Sequence, residues 1–181
     1  MKKLNDIVRN NNVTVYSFPT FKALEMCCNK EGGPEVISTL APALMLDIGF
    51  DTYYSPVIPR NTVFQTVDEI LAADLDVVET HVEKAADITP EDDVVIVSRH
   101  AGTVDILKEM YPHSVVMASI TPSDILGKKV VGTLPPTFIQ FAVAYKAVTI
   151  RNFDYVRDGD LCGDELAERL IITDAIKVSV K

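Results

Sequence analysis

The feature that most constrains the fold is an unbroken apolar run, Val94-Val95-Ile96-Val97, in the middle of the chain. Apolar residues without polar alternation are typical of a strand buried on both faces, as in parallel sheets covered by helices. Apolar residues then recur every three positions, which predicts a helix over 101–110. A second strand of the same kind is predicted at 129–131, so we expect both strands to be central in a parallel sheet.

The rest of the chain also alternates between strand-like and helix-like segments. Strands are predicted near 13–18, 76–79, 114–118, 147–150 and 175–180, and helices near 20–28, 63–71, 137–145 and 163–171. Pro34 is predicted to open a helix that Pro42 kinks, and 51–59 is predicted to be an edge strand or a loop. Asn61 or Thr62 is predicted to cap the 63–71 helix. This alternation predicts an α/β fold with a Rossmann-like, mainly parallel sheet and helices on both faces.

The length of 181 residues suits one ordinary domain or two very small ones. A turn-like break at Thr89-Pro90-Glu91-Asp92 divides an acidic N-terminal α/β region, 1–92, from a Rossmann-like region, 93–181. The two regions either form separate domains or belong to one.

The charge balance limits the kind of partner. The chain has 17 Lys and Arg against 26 Asp and Glu, a net charge of −9, which argues against wrapping a long nucleic acid. The excess lies in residues 1–92, where 7 basic and 15 acidic side chains give −8, whereas 93–181 has 10 and 11 and gives −1. A small anionic ligand would therefore meet the second half more readily, unless the acidity serves solubility alone.

Several classes of protein are not expected from this composition. No apolar run approaches the roughly 20 residues that cross a bilayer, and the first residues lack the apolar core of a signal peptide. Cys27, Cys28 and Cys162 form no CxxC pair, which favours a reducing cytosol and argues against structural zinc. His81, His100 and His113 have no metal-ligand spacing, so neither a metal nor another cofactor is predicted.

Two segments that link a strand to the following element are the candidate binding sites. In open α/β sheets ligands lie at the carboxyl ends of strands, where helix N-termini and glycines let backbone N–H groups approach phosphate. Arg99 adds a fork of donors for phosphate, and His100 adds a group that shuttles protons near neutral pH. Alternatively, the glycines only permit tight turns and the hydroxyl residues only cap helices. The first junction is Ser98-Arg99-His100-Ala101-Gly102-Thr103, and the second junction is Gly132-Thr133-Leu134-Pro135-Pro136.

With these motifs, residues 93–171 resemble the small CRISPR-associated Csx-sixteen family, which is grouped with the ring nucleases. That family has a strand ending in Ser-Arg-His-x-Gly, matched at residues 98–102, and a Gly-Thr-Leu-Pro turn, matched at 132–135. An Arg/Gly-rich stretch before an acidic helix is matched at 157–166. The chain departs from the family in having Ala101 where proline is usual, and in having about ninety residues before the matched segment.

The resemblance implies a homodimer that binds a cyclic oligoadenylate and cleaves it without a metal, by attack of a ribose 2′-hydroxyl on the neighbouring phosphate. It implies that Arg99 and His100 stabilise charge or transfer a proton, with Arg151 and Arg157 as secondary candidates. The residues that it implies for ligand binding are Ser98, Gly102, Thr103, Gly132, Thr133, Leu134 and Pro135.

Two other functions fit the same residues. A binding module, such as a virus-encoded antagonist of defence, would sequester the nucleotide at the same junctions without cleaving it. An interaction protein would instead contact a partner through the acidic N-terminal half.

Overall fold

The computed structural model describes residues 2–59, 62–154 and 161–181. These residues form two compact units: an N-terminal unit, Met1–Val82 with Ser179–Lys181, and a C-terminal unit, Glu83–Val178. The break expected from the sequence, Thr89-Pro90-Glu91-Asp92, lies later in the chain.

The N-terminal unit contains three parallel strands followed by an antiparallel one. Strands β2 (Asn12–Tyr16), β3 (Pro34–Ser38), β4 (Thr52–Pro56) and β5 (Asp76–Lys84) are neighbours in that order. Val15 lies opposite Ile37, and Tyr54 lies opposite Glu79. The short β1 pairs antiparallel with β5, and Glu79 and Lys181 exchange two backbone hydrogen bonds. The elements are β1 (Lys2–Lys3), α1 (Leu4–Asn10), β2 (Asn12–Tyr16), α2 (Pro19–Lys22), a 3₁₀ helix (Ala23–Met26), β3 (Pro34–Ser38), α3 (Pro42–Asp47), β4 (Thr52–Pro56), α4 (Val67–Ala73) and β5 (Asp76–Lys84).

The core of the N-terminal unit forms where α1, α2 and α4 cover strands β2 and β3. Its fully buried side chains include Leu4, Phe21, Leu24, Ile37 and Ile70. The alternation of exposed and buried residues in β2 explains why only Val13 and Val15 of that strand reach this core.

The C-terminal unit contains four parallel strands: β6 (Val94–Val97), β7 (Ser114–Met117), β8 (Lys129–Gly132) and β9 (Ala144–Ile150). Their order in the sheet is β7-β6-β8-β9. Strand β9 also pairs antiparallel with β10 and with β11. The elements are β6 (Val94–Val97), α5 (Ala101–Met110), β7 (Ser114–Met117), α6 (Pro122–Ile125), β8 (Lys129–Gly132), a 3₁₀ helix (Pro136–Phe141), β9 (Ala144–Ile150), α7 (Gly163–Arg169), β10 (Leu170–Ile172) and β11 (Ile176–Val180).

The predicted central strands are confirmed. All four residues of β6 are buried, and β6 lies between β7 and β8 with parallel register on both sides. Strand β8 lies between β6 and β9, again in parallel. The α/β fold class with a mainly parallel sheet is likewise confirmed, and α5 covers the predicted residues, with Leu107 fully buried.

Three predicted elements of the N-terminal unit are wrong. Pro34 begins strand β3 rather than a helix, because residues 34–38 pair in parallel with β2, and a first strand position tolerates a missing N–H. Strand β4 is an inner strand rather than an edge, since it pairs with both β3 and β5. Helix α4 starts after Thr66, whose Oγ accepts the N–H of Glu69 at 3.3 Å, and not after Thr62. Asn61 lies outside the described residues.

One predicted helix of the C-terminal unit is also wrong. Residues 137–145 are apolar enough for a helix, but only a 3₁₀ segment, Pro136–Phe141, forms. Ala144 already belongs to β9 and pairs with Lys129. Strand pairing therefore overrides local helical preference. Among the described residues, no helix has the length and apolar character needed to span a membrane.

Candidate functional site

The two junctions lie side by side at the carboxyl ends of β6 and β8. Because these strands are parallel neighbours, Val97 lies opposite Gly132, and the N–H of Thr133 donates to the carbonyl oxygen of Val97 at 2.9 Å. Gly132 has φ of +140°, and a Cβ there would lie 2.1 Å from the Val97 oxygen. Only glycine permits this approach, so Gly132 allows the ends of the two strands to lie in close contact.

The first junction folds into the N-terminal cap of α5. The Nδ1 atom of His100 accepts the N–H of Thr103 at 3.2 Å, and the Thr103 hydroxyl lies 3.1 Å from the same nitrogen. The Ser98 hydroxyl oxygen accepts the N–H of His100 at 3.2 Å. Ser98 and Thr103 therefore hold the junction in shape, because their polar atoms are used within it.

The capping bond of His100 determines which ring nitrogen carries the proton in the neutral ring. Nδ1 accepts a backbone N–H, so the neutral ring carries its proton on Nε2. Nε2 is then a hydrogen-bond donor. Moving the proton to Nδ1 would set two N–H groups of His100 and Thr103 against each other. The ring is half-buried and lies edge to face with Phe153, with ring centroids 6.0 Å apart.

Arg99 is the exposed cation of the first junction. Within the described residues its guanidinium forms no hydrogen bond and no ion pair. It lies directly before the cap residue of a ten-residue helix, at the carboxyl ends of parallel strands. Its five N–H donors are consequently available for an oxyanion.

The second junction is held by a buried tyrosine and offers few donors. The Tyr145 hydroxyl donates to the carbonyl oxygen of Gly132 at 2.9 Å and accepts the N–H of Leu134 at 3.2 Å. Burial raises the pKa of Tyr145, although the Leu134 N–H partly opposes this. Thr133 uses its N–H on Val97 and its hydroxyl on the Val148 carbonyl at 3.3 Å. Pro135 has no N–H, so this junction shapes the site and the first junction supplies the donors.

Gly102 serves the packing of two helices. A Cβ at this position would lie 2.8 Å from the Leu161 carbonyl oxygen and 2.8 Å from Cδ2 of Leu166. The glycine thus lets the start of α5 approach α7, and its surroundings are protein atoms. Gly102 was predicted to let a phosphate approach the backbone, and the contact with Leu161 and Leu166 was not predicted.

Of the two secondary arginine candidates, the structure describes Arg151. Arg151 is exposed after β9, and its backbone bonds to Arg169, whose Nε donates to the Arg151 carbonyl oxygen at 3.0 Å. Arg157 lies outside the described residues.

A cleft of about 410 Å³ elsewhere in the C-terminal unit was not predicted. Its polar wall contains Lys146, whose side chain is 12% exposed and whose Nζ lies 2.6 Å from Oδ1 of Asp87. Burial has the largest single effect and lowers the pKa of Lys146, but the interactions with Asp87 and Tyr111 together outweigh it, so the pKa is raised. The sequence signal was one lysine inside the mainly apolar strand β9. Nothing in the sequence indicated its partner, which is 59 positions earlier.

The described residues contain no group of three or more His, Cys, Asp or Glu side chains placed to hold a metal ion. Comparison with protein-family models, with curated proteins and with solved structures finds no match to this chain.

Proposed function

We propose that the C-terminal unit binds a cyclic oligonucleotide of the oligoadenylate type and degrades it, which would switch off a nucleotide signal. The observation that carries this proposal is the exposed Arg99 at the carboxyl ends of β6 and β8. Phosphodiesters are anions, and a bidentate guanidinium is the side chain best suited to them. A reducing cytosol is the proposed setting, in keeping with three free cysteines, two of them exposed.

The two residues of the proposed site have different roles. Arg99 would bind a non-bridging phosphate oxygen and stabilise the charge that develops on phosphorus. His100 would donate a hydrogen bond from Nε2 to the same phosphate, because its Nδ1 is occupied by Thr103. This division assigns His100 to charge stabilisation rather than to removing a proton.

In the proposed reaction a ribose 2′-oxygen attacks the neighbouring phosphorus, and the bond to the 5′-oxygen breaks. The products are a 2′,3′-cyclic phosphate and a 5′-hydroxyl, with the proton of the attacking hydroxyl passing to solvent and the leaving oxygen taking one back. Cleavage thus needs positioning and charge stabilisation but neither oxidant nor reductant.

Sequestration without cleavage is the second candidate function. One observation favours it: the capped tautomer of His100 provides no acceptor nitrogen for the 2′-hydroxyl proton. A protein that binds through Arg99 and His100 donors alone would hold the nucleotide intact.

The test is incubation with cyclic di-, tri-, tetra- and hexanucleotides, with binding measured by calorimetry and products by chromatography. Arg99→Ala should lower the single-turnover rate by about 100- to 1000-fold. Arg9→Ala removes another exposed arginine, from the N-terminal unit, and should leave the rate unchanged. His100→Asn keeps an oxygen to cap α5 but loses the Nε2 donor, so it should be slower yet equally stable.

The outcomes separate the candidates. Binding without products supports sequestration. No heat with any nucleotide, or equal rates for wild type and Arg99→Ala, would overturn the site. Inhibition by EDTA would overturn the metal-independent reaction.

A further inference from the structure

The open edge of the C-terminal sheet is strand β7. Among the described strands it pairs with β6 alone. The N–H of Val94 donates to the carbonyl oxygen of His113 at 3.2 Å, and backbone groups alternate in direction along a strand. The N–H and C=O groups of Ser114 and Val116 therefore point away from β6.

In the part of the chain that the structure describes, nothing blocks further pairing on this edge. Within the described residues, no side chain bonds to the outward backbone groups of β7. The side chains of Val115 and Val116 are 59% and 36% exposed. Residues 114–123 contain no Lys, Arg, Asp or Glu, although the chain has a net charge of −9. Proteins usually protect such an edge with charges, prolines or bulges.

The edge of the N-terminal sheet, β2, is protected. The N–H of Val15 donates to Oε1 of Glu25 at 2.6 Å, and the Val15 carbonyl accepts Nζ of Lys22 at 2.9 Å. Lys22 and Glu25 also form an ion pair at 2.7 Å. We refer to these two side chains as the β2 guard. The same chain thus blocks one edge and leaves the other open.

We propose that β7 pairs antiparallel with β7 of a second copy of this chain and so joins two C-terminal units. A strand paired antiparallel with itself is two-fold symmetric, so one open edge satisfies both copies. The outward groups of Ser114 and Val116 supply hydrogen bonds, and the exposed valines supply apolar area. Two molecules that each have a charge of −9 then meet along a segment, 114–123, that contains no charged side chain.

The first test is sedimentation velocity of the full chain over a series of concentrations. Wild type should be a dimer, and Val115→Lys and Val116→Lys should each weaken dimerisation by about 100-fold or more, because they place like charges across the two-fold axis. Val143→Lys makes the same change at a residue 44% exposed outside any strand, and it should remain dimeric. A wild type that is monomeric at all concentrations, or a dimer that is unchanged in the β7 variants, overturns the proposal.

The second test needs no variant. Amide hydrogen exchange of wild type is measured at low and high protein concentration. The outward amides of Ser114 and Val116 should exchange at least tenfold more slowly at high concentration, whereas the inward amide of Val115 and the guarded amide of Val15 should not change. Equal exchange of the outward amides at both concentrations contradicts β7 pairing even if every lysine variant misfolds.

Discussion

The two units place parallel strands side by side but finish them differently. In the N-terminal unit, hydroxyl groups bond at the ends of β2 and β3: Ser17 to Thr39 at 2.5 Å, and Ser38 to the Tyr16 carbonyl at 3.0 Å. The helices that follow contain only four and six residues. In the C-terminal unit the strand ends touch through Gly132, and a ten-residue helix begins beside Arg99. Both units thus contain parallel strand pairs, but of the β2–β3 and β6–β8 pairs only β6–β8 ends beside an exposed arginine.

The edge strands of the two units also differ in whether their outward backbone groups are already bonded. β2 is closed by the β2 guard, whereas β7 has neither a charge nor a side-chain hydrogen bond on its outward groups within the described residues. Sheet topology creates carboxyl ends and edges in both units, but individual side chains decide which of them stay available. In the C-terminal unit both stay available, and this is the basis for proposing ligand binding and self-association there.

The largest effect on stability is expected for Gly132→Ala. A methyl group would overlap the Val97 carbonyl, and φ of +140° is strained for alanine, so we expect a loss of about 3 kcal/mol or more in the free energy of unfolding. Gly33→Ala in the N-terminal unit is the control, since its new Cβ would meet only Oδ1 of Asn11 at 3.9 Å, and it should change stability by less than about 1 kcal/mol. Urea denaturation measures both. Equal midpoints would show that the junction relaxes freely.

The next effect concerns Tyr145. Tyr145→Phe leaves the Gly132 carbonyl and the Leu134 N–H buried without their partner, which should cost about 1–3 kcal/mol. Ser17→Ala also removes one hydroxyl at a strand end, but its site is half-buried and water can replace it, so about 1 kcal/mol or less is expected. Thermal unfolding of the two variants gives the comparison. A smaller loss for Tyr145→Phe than for Ser17→Ala would reverse the assignment of the more rigid strand ends to the C-terminal unit.

The sequence predicted the C-terminal unit better than the N-terminal one for a physical reason. Strand β6 is buried on both faces, so an unbroken apolar run identified it, and α5 followed with a clear period. Strand β3 begins at Pro34 and alternates little, and its pairing with β2 depends on contacts that local sequence does not encode. The apolar segment 137–145 gave a helical signal that β8–β9 pairing overrode.

The candidate site was predicted in part. Parallel neighbouring strands brought both junctions together, as their positions after apolar strands indicated. The sequence could not indicate that Tyr145 would occupy the Leu134 N–H, or that Gly102 would face Leu161, because each contact joins residues 11 or more positions apart. The donors therefore concentrate at Arg99 and His100, fewer residues than the motif resemblance implied.

The third prediction concerns a variant that lacks the β2 guard. In the monomeric Val115→Lys background, the double change Lys22→Ala with Glu25→Ala frees the outward N–H and C=O of Val15, and we expect weak, concentration-dependent self-association through β2. Stability should fall by only about 1 kcal/mol, as for other exposed ion pairs. Lys3→Ala with Asp76→Ala deletes a comparable ion pair, 2.8 Å long, and should leave the protein monomeric. Sedimentation velocity decides, and continued monomers after guard removal would mean that β2 is blocked by something other than these two side chains.

The smallest effect is the pH dependence of the β2 guard. Burial alone would raise the pKa of Glu25, but its bonds to the Lys22 ammonium and the Val15 N–H lower it below the ordinary value of 4.5. An acid whose pKa is lower in the folded protein stabilises that state above 4.5, and this stabilisation is lost as pH falls through the lowered value. Glu25→Gln keeps an oxygen for Val15 without the titrating charge, so wild type should be the more stable at pH 7 and the difference should shrink below pH 4.5. Asp92, whose pKa is lowered mainly by Lys129 in the C-terminal unit, retains its own acid dependence in both proteins. The urea midpoints of wild type and Glu25→Gln, measured from pH 7 down to pH 3, should therefore converge as the pH falls. A difference between the midpoints that stays constant with pH would mean that the charge of the Glu25 carboxylate does not stabilise the folded protein.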